Sequence, residues 1–288
     1  PDFGVNGVVD RFGQIGPKVL FAVNGYYYNG KTCDSRPTVE GIVAAVDSIA
    51  ATVMVPFATD LGTEVSARSV AAWDDFARCG EPLKFEPLDF NHPLYVMYSS
   101  GTTGVPKCIV HGHGGTLLQH LKEHVLHTDV SEGDRLFYFT TCGWMMWNWL
   151  VSSLASGATL VLFDGSPFFN DGRILCQMAE QEKVTVFGTS AKYISALENA
   201  GLRPRDEFAW PALRAVLSTG SPLAPECFDF VYDGVGDDLQ LASISGGTVI
   251  LSCFAIGNPV LTVRRGELHC RGLGMAVEVW NDAGEPVV

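Results

Sequence analysis

At 288 residues the chain is long enough for one large or two modest domains around a sizeable core. Apolar residues make up 47% and charged residues 18%, which excludes a disordered or fibrous chain. A net charge of -13 with no basic stretch excludes a nucleic-acid partner but leaves room for a single nucleotide. No apolar run reaches the roughly 18 residues of a membrane span. The cysteines at 33, 79, 108, 142, 176, 227, 253 and 270 lack the paired spacing of a zinc site, and a chain of this size needs no disulfide staples. With no signal peptide visible, a cytoplasmic location is the expectation. The opening Pro1-Asp2-Phe3-Gly4, without a methionine, points to a segment of a larger protein.

Taken in order, Val5 to Ile15 has helical spacing, and Lys18 to Val23 reads as a short apolar strand. A helix from about Val39 to Val46 and a strand over Ala51 to Pro56 follow. Ser66 to Phe90, with its charges and prolines, reads as an irregular surface connection. Pro93 to Tyr98 is expected as a buried strand, Gly115 to His127 as a helix and Leu136 to Thr140 as a strand. Trp144 to Ala155 reads as a buried helix leading into a strand over Ala158 to Phe163. Then come the helix Gly172 to Gln181, the strand Val184 to Gly188, the helix Ala191 to Ala200 and the strand Ala212 to Ser218. Alternating runs between Val260 and Val288 suggest antiparallel strands. The rhythm is that of an α/β protein with parallel sheets covered by helices and a β-rich C-terminal segment. Ligands are expected at the strand ends.

Directly after the Pro93 strand comes Tyr98-Ser99-Ser100-Gly101-Thr102-Thr103-Gly104-Val105-Pro106-Lys107. Polyphosphate needs converging N–H and O–H donors. Glycine lets the backbone bend into a concave nest, hydroxyls add donors, and Lys107 adds a compact positive charge. The run does not fit the GxxxxGK[ST] pattern of P-loop NTPases. It instead resembles the signature of the adenylate-forming superfamily. Cys108 to His124, Gly143 to Trp149 (GWMMWNW), Phe163 to Pro167 (FDGSP), Leu217 to Leu223 (LSTGSPL), Ser243 to Thr248 (SISGGT) and Gly266 to Trp280 resemble one branch of it, the acetoacetyl-CoA synthetases. The opening residues do so too, so the resemblance covers the whole chain.

The resemblance implies two steps: acetoacetate attacks the α-phosphate of ATP, giving acetoacetyl-AMP and pyrophosphate, and the thiol of coenzyme A then displaces AMP. It implies Mg²⁺ at the phosphates, small-molecule partners only (acetoacetate, ATP and coenzyme A), and leaves the oligomeric state open. By resemblance, Ser99, Ser100, Gly101, Thr102, Thr103, Gly104 and Lys107 hold the pyrophosphate end. Gly220, Ser221 and Pro222 line the adenine. Ser245, Gly246, Gly247 and Thr248 close on adenine and α-phosphate, with Thr248 as the hydroxyl contact and Thr248 and Lys107 as the catalytic candidates. Trp144, Met145, Met146 and Trp147 fall where the family flanks its acyl pocket, although such clusters are as often core. Phe163 to Pro167 reads as a structural turn, and His111 as a packing residue.

The domains implied are 1–90 as part of a first α/β subdomain, 91–259 as a second with the ATP/adenylate site, and 260–288 as the start of a β-rich subdomain. The family's mobile C-terminal domain, with its catalytic lysine, is expected to lie outside this chain. After Ser-Gly-Gly-Thr the family carries an acidic residue that helps bind Mg²⁺, where this sequence has Val249, so no residue is assigned as a metal ligand. Two alternatives therefore stand beside the ligase reading: a synthetase for another short acid, and a catalytically silent nucleotide-binding module.

Overall fold

A computed structural model describes residues 3–78, 80, 82–99 and 104–287. The chain divides into two compact units, Pro1–Val110 with Asp164–Ser166, and His111–Phe163 with Pro167–Val288.

The first unit opens with α1 (Val5–Phe12), β1 (Val19–Val23), a hairpin of β2 (Gly25–Tyr28) and β3 (Lys31–Asp34), α2 (Arg36–Ala45) and β4 (Ala51–Val55). The hairpin was not anticipated. Its turn is Asn29-Gly30, both residues at positive φ, the pair that a tight two-residue hairpin favours. Strands β1 and β4 are parallel, as the strand–helix–strand rhythm predicts, and α1 and α2 cover them around Leu20, Val39, Ile42, Val43 and Met54. The stretch read as irregular holds a third strand, β5 (Val70–Ala72), parallel to β4, and one helical turn, α3 (Trp73–Phe76). Three residues without strong alternation leave little signal to read. Strand β6 (Pro93–Ser99) pairs with β7 (Lys107–Gly112), a strand for which the sequence reading names no element between the glycine-rich loop and the helix from Gly115. The expectation of a buried strand at Pro93 is corrected, because β6 runs from exposed to half-buried and, among the described residues, has a single neighbour.

In the second unit, α4 (His113–Leu121) runs into a π-helical turn, Lys122–His127. The chain continues through β8 (Arg135–Tyr138), α5 (Met145–Ser152), β9 (Thr159–Val161), α6 (Arg173–Gln181), β10 (Val186–Ser190), α7 (Ala191–Asn199), α8 (Pro204–Glu207) and β11 (Ala215–Thr219). The helix α9 (Pro225–Gly234) and strand β12 (Gln240–Ser243) complete a five-stranded parallel sheet in the order β12-β11-β10-β8-β9. Alternate residues face opposite sides, so Leu136, Tyr138, Val186, Ala215, Leu217 and Ala242 pack on α5, while Phe137, Phe187, Val216 and Leu241 pack on α6, α7 and α9. Gly188 sits at the centre, where an added Cβ would fall 2.1 Å from the Tyr138 ring.

The chain then forms β13 (Ser245–Gly247), β14 (Ser252–Ile256) and β15 (Cys270–Arg271) as an antiparallel set, followed by the two-residue strands β16 (Val279–Trp280) and β17 (Pro286–Val287). The antiparallel pairing expected after Val260 is present, but in short pieces; most of Leu261 to Cys270 is turn and loop. Among the described residues no helix is long and apolar enough to cross a membrane.

Candidate adenylate site

A parallel sheet in this order reverses direction between β8 and β10, and doubly wound sheets bind ligands beyond the carboxyl ends of their strands at such a point. The nominated residues of the second unit follow those ends. Strand β11 leads into Gly220, Ser221 and Pro222, and its parallel neighbour β12 leads through Ile244 into Ser245 to Thr248. The two loops are tied together: the Thr219 hydroxyl donates to the Ile244 carbonyl at 3.1 Å, and the Leu223 N–H to Ser243 Oγ at 3.4 Å. Gly220 has φ +90°, a left-handed turn that an L side chain rarely adopts, and both it and Ser221 are exposed. These two nominated groups therefore share one end of the sheet.

The turn between β13 and β14 is held from behind by the end of β7, by α4 and by its π-helical extension. His111 Nε2 bonds the Thr248 carbonyl at 2.9 Å, and His120 Nε2 bonds the Leu251 carbonyl at 2.9 Å. A carbonyl can only accept, so both rings carry their proton on Nε2. The packing role expected for His111 has a specific content: it fixes the backbone of Thr248. Behind them lies Glu123, fully buried and missed by the sequence reading, because glutamate in a helix ordinarily marks the solvent face. Its Oε1 accepts from Gln119 Nε2 (2.8 Å), Ser252 Oγ (2.5 Å) and the Cys253 N–H (3.0 Å), and its Oε2 from Trp149 Nε1 (3.0 Å). The unusual burial of His120, Glu123, His124 and His127 together on one helix was the available signal, visible only once a face had been assigned.

The Gly143 to Trp149 block follows the carboxyl end of β8 and splits in two. Trp144 is 66% exposed, Met145 and Trp147 are half-buried against the core, and Met146 and Trp149 belong to that core. The core reading holds for Met146 and Trp149, with Met145 and Trp147 packed against them, and does not extend to Trp144.

The glycine-rich loop belongs to the first unit, and Ser100, Gly101, Thr102 and Thr103 lie outside the described residues. Of the remainder, Ser99 is the half-buried end of β6, Gly104 turns at φ +90°, and Lys107 begins β7 exposed. Gln14 Nε2 anchors the loop's far end through the Pro106 carbonyl at 2.9 Å. Burial pushes the Tyr98 phenol up to about 12, keeping it neutral beside the loop.

Val249 follows Thr248 and is 68% exposed. Among the described residues no group of three or more His, Cys, Asp or Glu side chains could hold a metal ion. A hard cation such as Mg²⁺ takes oxygen ligands, so the residues at this turn do not fit it as a protein ligand set, and no step is assigned through it.

A family model described as "AMP-binding enzyme" matches residues 1–287. The chain is 56% identical, over all of its length, to the acetoacetyl-coenzyme A synthetase of Rhizobium meliloti (strain 1021) and spans 44% of that protein. It is 43% identical over 99% of its length to a malonamoyl-CoA synthetase of Penicillium aethiopicum, spanning 42% of it. In structure it matches an acetoacetyl-CoA synthetase from Streptomyces lividans with a TM-score of 0.92 at 44% identity, covering all of this chain and 44% of that one. The family model spans residues 1–287 and the identity extends over the whole chain, so the chain belongs to the AMP-binding enzyme family.

Proposed function

We propose that the protein activates acetoacetate with ATP as the acyl-adenylate and transfers the acyl group to coenzyme A. The observation that carries this reading is the meeting of Gly220–Pro222 with Ser245–Thr248 at adjoining strand ends, in a chain 56% identical throughout to an acetoacetyl-CoA synthetase. In this reading residues 91–259 carry the ATP/adenylate site. Ser99 to Lys107 hold the pyrophosphate end, Gly220 to Pro222 line the adenine, and Thr248 contacts the α-phosphate. Its hydroxyl is a donor aimed at charge that develops as the carboxylate attacks phosphorus. Trp144, Met145 and Trp147 flank the acid, and coenzyme A and Mg²⁺-ATP are co-substrates of the whole protein, acting as a soluble cytoplasmic enzyme.

The test is acid-dependent ATP–pyrophosphate exchange by the protein as encoded in full. Exchange with acetoacetate well above the level without acid is the expected result. Exchange with a different acid alone overturns the substrate. One such acid has a specific claim, since malonamate shares with acetoacetate a carbonyl two carbons from the carboxylate, and a malonamoyl-CoA synthetase is among the relatives. No exchange with any acid, but retained ATP binding, favours the silent nucleotide-binding module that Val249 suggests.

Val249 offers its own experiment. An exposed valine in a turn is cheap to replace, within about 0.5 kcal/mol of stability. Val249→Asp is expected to tighten Mg²⁺-ATP binding several-fold in calorimetry, with little change for ATP in excess chelator. Equal affinities with and without the carboxylate would remove the metal argument.

A further inference from the structure

Glu123 joins three pieces of the second unit that the proposed function treats separately. Its Oε2 accepts from Trp149 in α5, the helix whose first residues flank the acid in that reading. Its Oε1 accepts from Ser252 and Cys253 at the start of β14, directly after the turn that carries Thr248. Gln119 donates both to Glu123 and to Ser252, while Lys122 Nζ lies 3.7 Å from the carboxylate and donates to the Leu273 carbonyl at 2.9 Å. A carboxylate has about four acceptor sites, and four hydrogen-bond donors meet it here, from three different elements. The local helix has opened into a π turn, a form often found at functional sites, with the Thr128 N–H reaching the Glu123 carbonyl at 3.1 Å. A carboxylate is costly to bury, and core packing alone would be served by a leucine. Glu123 instead fixes the separation between an α5 indole and the backbone of the β13–β14 turn.

We propose that Glu123 is a positioning residue for adenylation, resting on the function proposed above: it holds the Thr248 turn in register with the helix that flanks the acid. Glu123→Gln keeps the shape but turns an amide N–H₂ toward one of the donor sets, so one tie is lost. Ser252→Ala removes a single donor and leaves the core filled.

The experiment is a kinetic cycle on the protein as encoded in full, reading acid-dependent ATP–pyrophosphate exchange for Glu123→Gln, Ser252→Ala, Thr248→Val and the two doubles with Thr248→Val. Displacement of a reacting group by an ångström costs about 100-fold, so Glu123→Gln should lower kcat by about 10- to 100-fold. The KM for pyrophosphate should stay within about twofold, and Ser252→Ala should move kcat in the same direction by less. If Glu123 acts through Thr248, adding Glu123→Gln to Thr248→Val costs no more than about twofold beyond Thr248→Val alone, because coupled residues are non-additive. A purely structural role would give losses that multiply, or a rise in every KM together. Either pattern, or wild-type kcat in Glu123→Gln, overturns the proposal. Should Glu123→Gln fail to fold, the Ser252→Ala and Thr248→Val cycle decides by the same criterion. A wild-type protein with no exchange for any acid overturns the underlying function and the proposal with it, whereas exchange with multiplying losses overturns the proposal alone.

Discussion

Gly246→Ala is expected to destabilise the protein by about 1–3 kcal/mol, the usual cost of overpacking a site that cannot relax. A Cβ built on Gly246 would lie 2.3 Å from the Ser252 carbonyl oxygen and 3.0 Å from the Cys253 Cα, both backbone atoms. Gly246 pairs with Cys253 across the β13–β14 ladder, next to a register shift at Ser245 and Gly246. Glycine is the residue that permits such a close approach. A side chain there must push β14 away and, with it, the Ser252 and Cys253 donors that meet Glu123. The adjacent Gly247 differs, since nothing lies within 4 Å of a Cβ built on it. Gly247→Ala should therefore leave the urea midpoint unchanged while raising the KM for ATP, as a methyl group intrudes where a nucleotide is proposed to lie. Swapped outcomes, with Gly247→Ala unfolding the protein and Gly246→Ala sparing it, would refute this division of a motif into one scaffold glycine and one site glycine.

The second large effect is on acid stability. His124 is fully buried, its ring 4.1 Å from that of Trp149, and burial depresses its pKa to about 3, with the neighbouring His120 adding a smaller push in the same direction. Burial also lowers His120. Ser152 Oγ gives its proton to the Trp149 carbonyl at 2.7 Å, so His124 Nε2 must be the donor in its 2.9 Å bond to Ser152. The ring is neutral, with Nδ1 a buried acceptor that meets no partner among the described residues. The sign follows from linkage: below the ordinary value of about 6.5 the unfolded chain takes up a proton that the folded one refuses. Stability is complete above that value and falls as the pH drops toward 3, by about 2 kcal/mol at pH 5 for His124 alone. Urea unfolding between pH 7 and 5 should show this slope. His124→Gln, which keeps a donor toward Ser152 but cannot titrate there, should flatten it at the cost of some stability at pH 7. Parallel slopes in the two proteins would show that the proton goes elsewhere.

How much of this was legible in the sequence depended on whether the signal was local. The parallel strands β1, β4, β8, β10 and β11 and the helices α2, α6 and α7 announce themselves by apolar runs and helical spacing, and they lie where those patterns put them, within a few residues. The Asn29-Gly30 hairpin was equally local and simply went unread. By contrast, β7 pairs with β6 alone among the described residues, and its mixed exposed and half-buried pattern gives no clear period between the loop and the helix from Gly115. In the candidate site, Gly220 to Pro222 and Ser245 to Thr248 were named from their motifs. Their meeting could be seen only once β11 and β12 proved to be neighbours. Glu123 and the buried histidines carried no motif at all. Their identity as interior groups depends on partners 26 to 146 residues away, such as Trp149, Cys253 and Leu273, which no window along the chain contains.

The split character of the Gly143 to Trp149 block also bears on how such a protein can change. Trp144 stands in the open at the head of α5, while Trp149, one and a half turns on, is tied by its indole to Glu123. Substitution is therefore cheap for folding at the first position and costly at the second, since loops at the mouth of a rigid sheet tolerate substitution far better than its packed rungs. Under the function proposed above, in which Trp144 and Met145 flank the acid, one short acid could be exchanged for another by rewriting those two positions while the rest of the helix is inherited unaltered. A comparison of descendants would then separate, within one seven-residue segment, the positions that follow a change of acid from those that only keep the packing in shape.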